Sequence, residues 1–332
     1  VIWVAWRQQR AALLGLAAYA ACVGAFLLVW RYTATSRLAD AGLRDCLRGV
    51  VERCAAEPAY WETMNWFSSA DSNARMAAVG FAALAGAFLG APLFAREWEQ
   101  RTHLLALGQS VGRGRWFGSR VLVALGATSA VALLLGLLNW GSAAWQGDTV
   151  WAWERLHPNH FESQPVALTG YALFAVALGA TAGLLLRRTL PAMAVAFAGT
   201  VAALHAVRSY LREHYAAPVV SPDSWQRTHT WLSGDPGRWA LDHGVLSTSG
   251  EYLRNPVDVM AIAYGDCELR PGEWGDPAFA ACMDEHGIAR PASLVHPGDR
   301  FWPFQFVEFG LFALVAAALL GVSLVVLRTR AL

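Results

Sequence analysis

Lysine is missing from this chain: all 26 of its basic residues are arginine. A nucleotide-binding P-loop closes on a lysine whose ammonium group neutralises the terminal phosphates, so the sequence holds no Walker A motif, and any ATP-driven work needs a separate polypeptide. A Gly-x-Ser-x-Gly elbow is absent too, as is a Cys/His pair with a carboxylate set to orient it, which leaves no hydrolase design and no catalytic residue to name. His157-Pro158-Asn159-His160 places two histidines beside Glu154 and Glu162. The proline disturbs their facing and no ligand spacing results, so these read as solvated loop residues and no metal is expected. Charge is scarce, 15% of 332 residues against 55% hydrophobic, which is too apolar for a soluble protein of this size. The formal net charge of +1 offers no basic surplus for nucleic acid.

What the sequence has is six uncharged apolar stretches: Ala11–Trp30, Met76–Phe94, Val121–Trp140, Val166–Leu186, Thr189–Val207 and Phe309–Leu327. At about 1.5 Å per helical residue each covers the roughly 30 Å of a bilayer's hydrocarbon core. One charge at a helix centre costs about 2.5–3.5 kcal/mol on insertion, so its absence from all six is what lipid-facing helices require. Soluble core helices would instead show polar and apolar faces at a 3.6-residue period. Trp6-Arg7-Gln8-Gln9-Arg10 resembles a signal-peptide n-region, but the apolar stretch after it exceeds the roughly seven to fifteen residues of an h-region, so a retained span is expected. The fold class is therefore all-α integral membrane, with six transmembrane helices.

Arginine placement orients the helices. With the N-terminus cytoplasmic, the short inner segments hold eleven arginines against two acids, whereas the opposite side holds fifteen arginines against twenty-two acids. Short-loop arginine excess marks the cytoplasmic side, so both termini are expected there, in a plasma membrane and in contact with its lipid. The chain then divides into an interfacial segment and first span (1–30), an outer loop (31–75), spans two and three with an inner helix at 95–117 (76–140), an outer loop (141–165), spans four and five (166–207), a large outer loop (208–303), and the last span with an inner tail (304–332). The outer loops are expected to form a sizeable extracellular cap, whose Pro, Gly, Trp and Asp content reads as irregular turns with short helices. Cys22 lies in the first span; Cys46, Cys54, Cys267 and Cys282 fall on the oxidising side and suggest two disulfides. Cys46–Cys54 and Cys267–Cys282 each close a short local loop, with a cross-link between the two segments as the alternative.

The inner segment from Phe94 carries the most information. As a helix it aligns Phe94, Trp98, Thr102 and Leu105 on one side and sets Glu97 and Arg101 at i, i+4 in the favourable order. Gly108 offers a stop, and Gly112 to Arg115 turns into the third span. Such a helix suits a groove on a soluble partner, or it simply rests among headgroups. Gly86 and Gly90 form a small-xxx-small pair that permits close helix approach, within one chain or between two. Glu308, at the start of the last stretch, is a candidate functional group, with water or Arg300 as its simpler partners. His205 has the same ambiguity at the end of the fifth stretch. Trp30, Trp140 and Trp302 mark span boundaries as interfacial belt residues.

The run Arg96-Glu97, Glu99, Thr102, Leu105, Gln109-Ser110-Val111, Arg113 and Arg115-Trp116 resembles the cytoplasmic coupling segment of type 2 ABC exporter permeases, particularly the actinobacterial kind. Gly170-Tyr171-Ala172-Leu173-Phe174 with Gly179, Gly183 and Arg187-Arg188-Thr189-Leu190-Pro191-Ala192-Met193-Ala194 resembles their paired fourth and fifth spans. Asp299-Arg300-Phe301-Trp302 with Phe304-Gln305 and Glu308 resembles the approach to their last span. The chain departs from them at Arg101, where such proteins carry glycine. The resemblance implies a permease that pairs with a second copy or a paralogue and sits on separate ABC ATPase subunits. Those subunits would hold ATP and Mg, this chain binding no cofactor directly, and substrate would leave outward. It implies ATPase coupling through Arg96, Glu97, Trp98, Glu99, Arg101, Thr102, Leu105, Arg113 and Arg115. A gradient-driven secondary transporter would need ionisable residues near mid-membrane, and a non-transporting sensor or assembly protein would use the outer loops for binding.

Single cysteines placed between residues 97 and 116 should react with a membrane-impermeant thiol reagent only after the membrane is opened. Reaction in intact cells would overturn the orientation.

Overall fold

The computed structural model describes residues 2–43, 57–100, 112–146, 155–223, 238–254, 258–269 and 276–330. Within them six helices are long and apolar enough to cross a membrane: span one (Trp3–Asp40), span two (Pro58–Glu99), span three (Arg113–Gly141), span four (Pro165–Leu186), span five (Thr189–His214) and span six (Gly298–Thr329). The chain divides into two compact units, the first holding residues 1–149, 158–212 and 303–332, the second holding 150–157 and 213–302.

Several helices run past their apolar stretches. Residues 31–40 and 58–75, expected as part of an outer loop, are helical. Helix propagation adds one hydrogen bond per residue once a nucleus exists, so polar flanks stay helical where hydropathy alone marks an end. Spans two and four each start with proline in the first turn, Pro58 and Pro165, where a missing N–H costs nothing. Span two is interrupted by a π turn at Gly86–Gly90, after which helix resumes at Pro92–Glu99. Pro92 cannot donate within the ladder, and the widened turn just before it absorbs the defect. Span four ends at Arg187, whose left-handed φ of 55° lets the chain reverse at once into span five. Trp30 stacks on Trp66 at 4.0 Å between ring centres, tying span one to span two.

Glycine sets how closely spans two and four approach. A Cβ on Gly86 would lie 2.6 Å from the Ala175 carbonyl oxygen, and one on Gly90 would lie 2.6 Å from that of Val176. Reciprocally, a Cβ on Gly179 would fall 2.3 Å from the Gly86 carbonyl oxygen, and one on Gly183 would fall 2.3 Å from that of Ala91. The Gly86/Gly90 pair thus packs against a helix of its own chain. Span four is the most enclosed of the six.

The second unit differs from the expected irregular turns, since it contains a four-stranded antiparallel sheet. Its strands are β1 (Val219–Pro222), β2 (Trp239–Ser247), β3 (Tyr252–Arg254) and β4 (Ile288–His296), in the order β1-β4-β2-β3. Register shifts between Ala240 and Asp242 and between Leu246 and Ser247 break the alternation a strand normally shows, and Pro291 inside β4 argues locally against a strand. Val245, Ala263, Leu269, Phe279, Met283 and Ile288 form its apolar core. Helix Pro277–Glu285 starts on Asp276, whose carboxylate accepts from the Ala278 amide at 2.9 Å. Cys267 and Cys282 are joined by a disulfide; Cys46 and Cys54 lie outside the described residues.

Gly179→Ala should destabilise the protein by about 1–3 kcal/mol, because the added methyl meets backbone that cannot rotate away. Gly126→Ala, at an exposed site with nothing within 4 Å, should leave the melting temperature in detergent unchanged or raised. Equal effects would refute the packing argument.

Candidate functional site

Two polar clusters stand out in the first unit, one at each end of span five. The first gathers on helix Pro92–Glu99, where Leu93, Phe94 and Ala95 are buried and the last turn carries the charged residues. Phe94 stacks on Phe117 at 5.1 Å, anchoring this turn to span three. Glu97 forms an ion pair with Arg120, whose guanidinium also donates to the Leu93 carbonyl at 3.3 Å and to Gln8 Oε1 at 2.7 Å. Arg120 is largely buried and its charged group lies 4.6 Å from the Trp116 ring. Glu99 accepts from both the amide (2.8 Å) and the hydroxyl (2.6 Å) of Thr189 at the start of span five. A carboxylate there satisfies an otherwise open first-turn amide and meets the positive end of the helix dipole. The Arg187 guanidinium covers the Trp98 ring at 4.3 Å.

The sequence-predicted coupling residues are therefore placed unevenly. Glu97 and Glu99 bind this turn to spans three and five, and Trp98 packs under Arg187 at the end of span four. Arg96 is exposed, while Arg113 and Arg115 open span three. Arg101, Thr102 and Leu105 lie outside the described residues. The structure pairs Glu97 with Arg120, 23 positions along the chain, which helical spacing cannot reveal.

The second cluster is buried. Arg212, 1% exposed, donates to Glu308 from Nε (3.0 Å to Oε2) and Nη2 (2.8 Å to Oε1), and from Nη2 to Glu162 Oε1 at 3.0 Å. The Tyr171 hydroxyl donates to the same Glu308 oxygen, and the Phe161 ring lies 4.4 Å beneath the guanidinium. Glu308 is fully buried, so the expectation of water or Arg300 is corrected. Arg300 instead donates to the Ala217 carbonyl at 2.6 Å and contacts His296 Nδ1 at 2.8 Å. His205 is exposed and takes no part in the cluster. Next to it Asp71 and Arg75 pair at 2.6 Å, both buried, and Arg75 reaches Ser163 Oγ at 3.4 Å. Gln305 accepts from the Ala167 amide at 2.9 Å and donates to the Phe161 carbonyl at 2.7 Å, closing the start of span four.

The sequence reading assigns Arg212, Asp71 and Arg75 to loops, as charges outside apolar stretches, and gives Glu162, Tyr171 and Gln305 no place in such a cluster. Their only local sign was the position of Glu308 and Arg212 just beyond stretch ends. Chemically the cluster holds two carboxylates against one guanidinium in an apolar setting. Burial pushes the Glu162 carboxyl above the usual carboxylate range despite the attraction of Arg212. Glu308 is gripped by two nitrogens of Arg212, whereas Glu162 meets only one.

A family model described as ABC-2 membrane transporter related matches residues 17–212. No curated protein and no solved structure matches the chain.

Arg212→Ala should cost about 3–5 kcal/mol, since it strands buried carboxylates. The folded state holds a proton on Glu162 to higher pH than the unfolded chain does, so that group's contribution falls as pH rises above about 4.3. Glu162→Gln should therefore flatten the decline of melting temperature as pH rises from about 4.3; an unchanged slope would show that Glu162 does not titrate there.

Proposed function

The chain belongs to the ABC-2 membrane transporter related family, and from that membership we propose that it is the permease subunit of an ABC exporter. It spans the membrane six times, moves a substrate outward and draws on ATP and Mg held by a separate ATPase. In this reading both termini are cytoplasmic, residues 31–75, 141–165 and 208–303 face outward, and a second copy or a paralogue completes the pathway. The observation that carries the proposal is the fastening of helix Pro92–Glu99. Its last turn is bound to span three through Glu97 and Arg120 and to span five through Glu99 and Thr189, while Arg96 stays exposed. A helix tied down on its apolar side and open on a charged side suits a partner that pushes on it.

Span five gives the push somewhere to go. From Thr189 to Arg212 a helix extends about 35 Å at 1.5 Å per residue. One end is held by Glu99 and the other by Glu308 and Glu162. Displacing the short helix would strain the buried cluster, and an ion-pair set that can exchange partners is a physical route for coupling.

A gradient-driven secondary transporter is the second reading, favoured by the same buried ionisable residues. Purification with an associated Walker-motif protein tests both. In the exporter, vesicle flux requires nucleotide, and Glu97→Gln or Leu105→Ala lowers partner ATPase activity about tenfold, the effect of losing roughly 1.4 kcal/mol. Flux that follows an ion gradient with no such partner supports the transporter and defeats the exporter.

A further inference from the structure

Outside both clusters, the second unit brings together three donor side chains, with a fourth beside one of them, that no function discussed so far uses. Cys267 follows the turn Ile262–Asp266, and Cys282 lies on helix Pro277–Glu285 with its Cα 5.8 Å from that of Cys267. His286, four residues after Cys282, comes from the same end of that helix. One donor atom from each of Cys267, Cys282 and His286 lies within 4.8 Å of the others. Asp266 stands beside His286, its Oδ2 3.5 Å from Nε2, but is not among the three donors that lie within 4.8 Å of one another.

The imidazole is already oriented for ligation. Its Nδ1 lies 2.9 Å from the Cys282 carbonyl oxygen. A hydrogen bond there makes Nδ1 the donor and leaves Nε2 as the nitrogen a metal would take, the outer-shell arrangement that metal-binding histidines use. Two thiolates, one imidazole nitrogen and one carboxylate oxygen are a borderline-soft tetrahedral set that matches Zn2+, whose bonds are about 2.3 Å to sulfur and 2.0–2.2 Å to nitrogen or oxygen. Tetrahedral bonds of those lengths put donor atoms roughly 3.3–3.8 Å apart, so Cys267, Cys282 and His286, within 4.8 Å of one another, close on an ion by side-chain adjustment, and Asp266 must swing in from its place beside His286. The side chains of His286 and Asp266 are 35% and 62% exposed, which leaves an ion a way in from solvent.

We propose that the Cys267–Cys282 disulfide is the oxidised form of a Zn2+ site made by Asp266, Cys267, Cys282 and His286. A dithiol reductant opens it: the two sulfurs take two electrons and two protons, and the dithiol leaves as its own disulfide. Zn2+ then displaces the two thiol protons and binds the thiolates, so metal uptake releases about two protons per chain and strengthens as pH rises. In either state the turn at Cys267 is joined to helix Pro277–Glu285 across the edge of the core made by Ala263, Phe279 and Met283. Oxidation or metal thus replaces one cross-link by the other. Sequence spacing alone did not suggest the site, because fourteen residues separate the two cysteines and only the fold adds Asp266 and His286.

The test uses the full-length chain in detergent, oxidised or reduced with a dithiol, titrated with Co2+ as a spectroscopic substitute for Zn2+ and then with Zn2+. The reduced protein should develop tetrahedral Co2+ bands with thiolate-to-metal charge transfer and lose them when Zn2+ is added; the oxidised protein should not. His286→Ala, which keeps the disulfide, should weaken the reduced protein's affinity by at least 10- to 100-fold, and Asp266→Asn should weaken it less. Zn2+ should also raise the melting temperature of the reduced wild type. Absence of the charge-transfer band, an unchanged affinity in His286→Ala, or equal uptake by the oxidised protein would each overturn the proposal.

Discussion

Contact between spans two and four at their glycines is the constraint from which the first unit is built. At Gly86, Gly90, Gly179 and Gly183 the backbones come so close that a single methyl has no room. In lipid there is no hydrophobic drive between helices, so association rests on close van der Waals fit, and small residues supply it. Span four, held in this way, becomes the enclosed member around which the others pack. Its two ends then inherit fixed positions, and both polar clusters depend on them: Tyr171 near one end reaches Glu308, and the turn after the other end delivers Thr189 to Glu99.

Burying Arg212 with two carboxylates is costly in an apolar medium. Several kcal/mol of desolvation per ion is offset only when geometry and hydrogen bonding are good. Here the guanidinium spreads over two carboxylates and an aromatic face. What such a set supplies is specificity of position more than net stability. It joins the end of span five, the segment before span four, and span six through one charged group. An arrangement whose partners can be exchanged but not simply removed is suited to switching between packings.

The second unit is organised differently. It is built on an antiparallel sheet and a small apolar core, with Arg238 paired to Asp223 at 2.9 Å and Arg254 to Asp242 at 2.5 Å. Partly exposed pairs of this sort contribute little each. The core of Val245, Phe279, Met283 and Ile288 carries more, and the Cys267–Cys282 cross-link restrains what so small a core cannot.

The membrane class, the six spans and the missing ATPase motif were legible in the residues themselves, because hydrocarbon imposes a length and an absence of charge that any reader of the chain can count. The inner helix expected at 95–117 lies only partly within the described residues, where Pro92–Glu99 is helical and 101–111 fall outside them. Partner choice was not legible: Glu97 with Arg120, Glu99 with Thr189, Arg212 with Glu162 and Glu308, and His286 beside Cys267 all join residues whose separation along the chain carries no information about distance in space. Nor was the sheet, whose alternation is interrupted by bulges and whose central strand holds Pro291. Solvation by lipid acts on each segment separately and leaves its mark on composition, whereas charge pairing and backbone approach act between segments and exist only once the chain has folded.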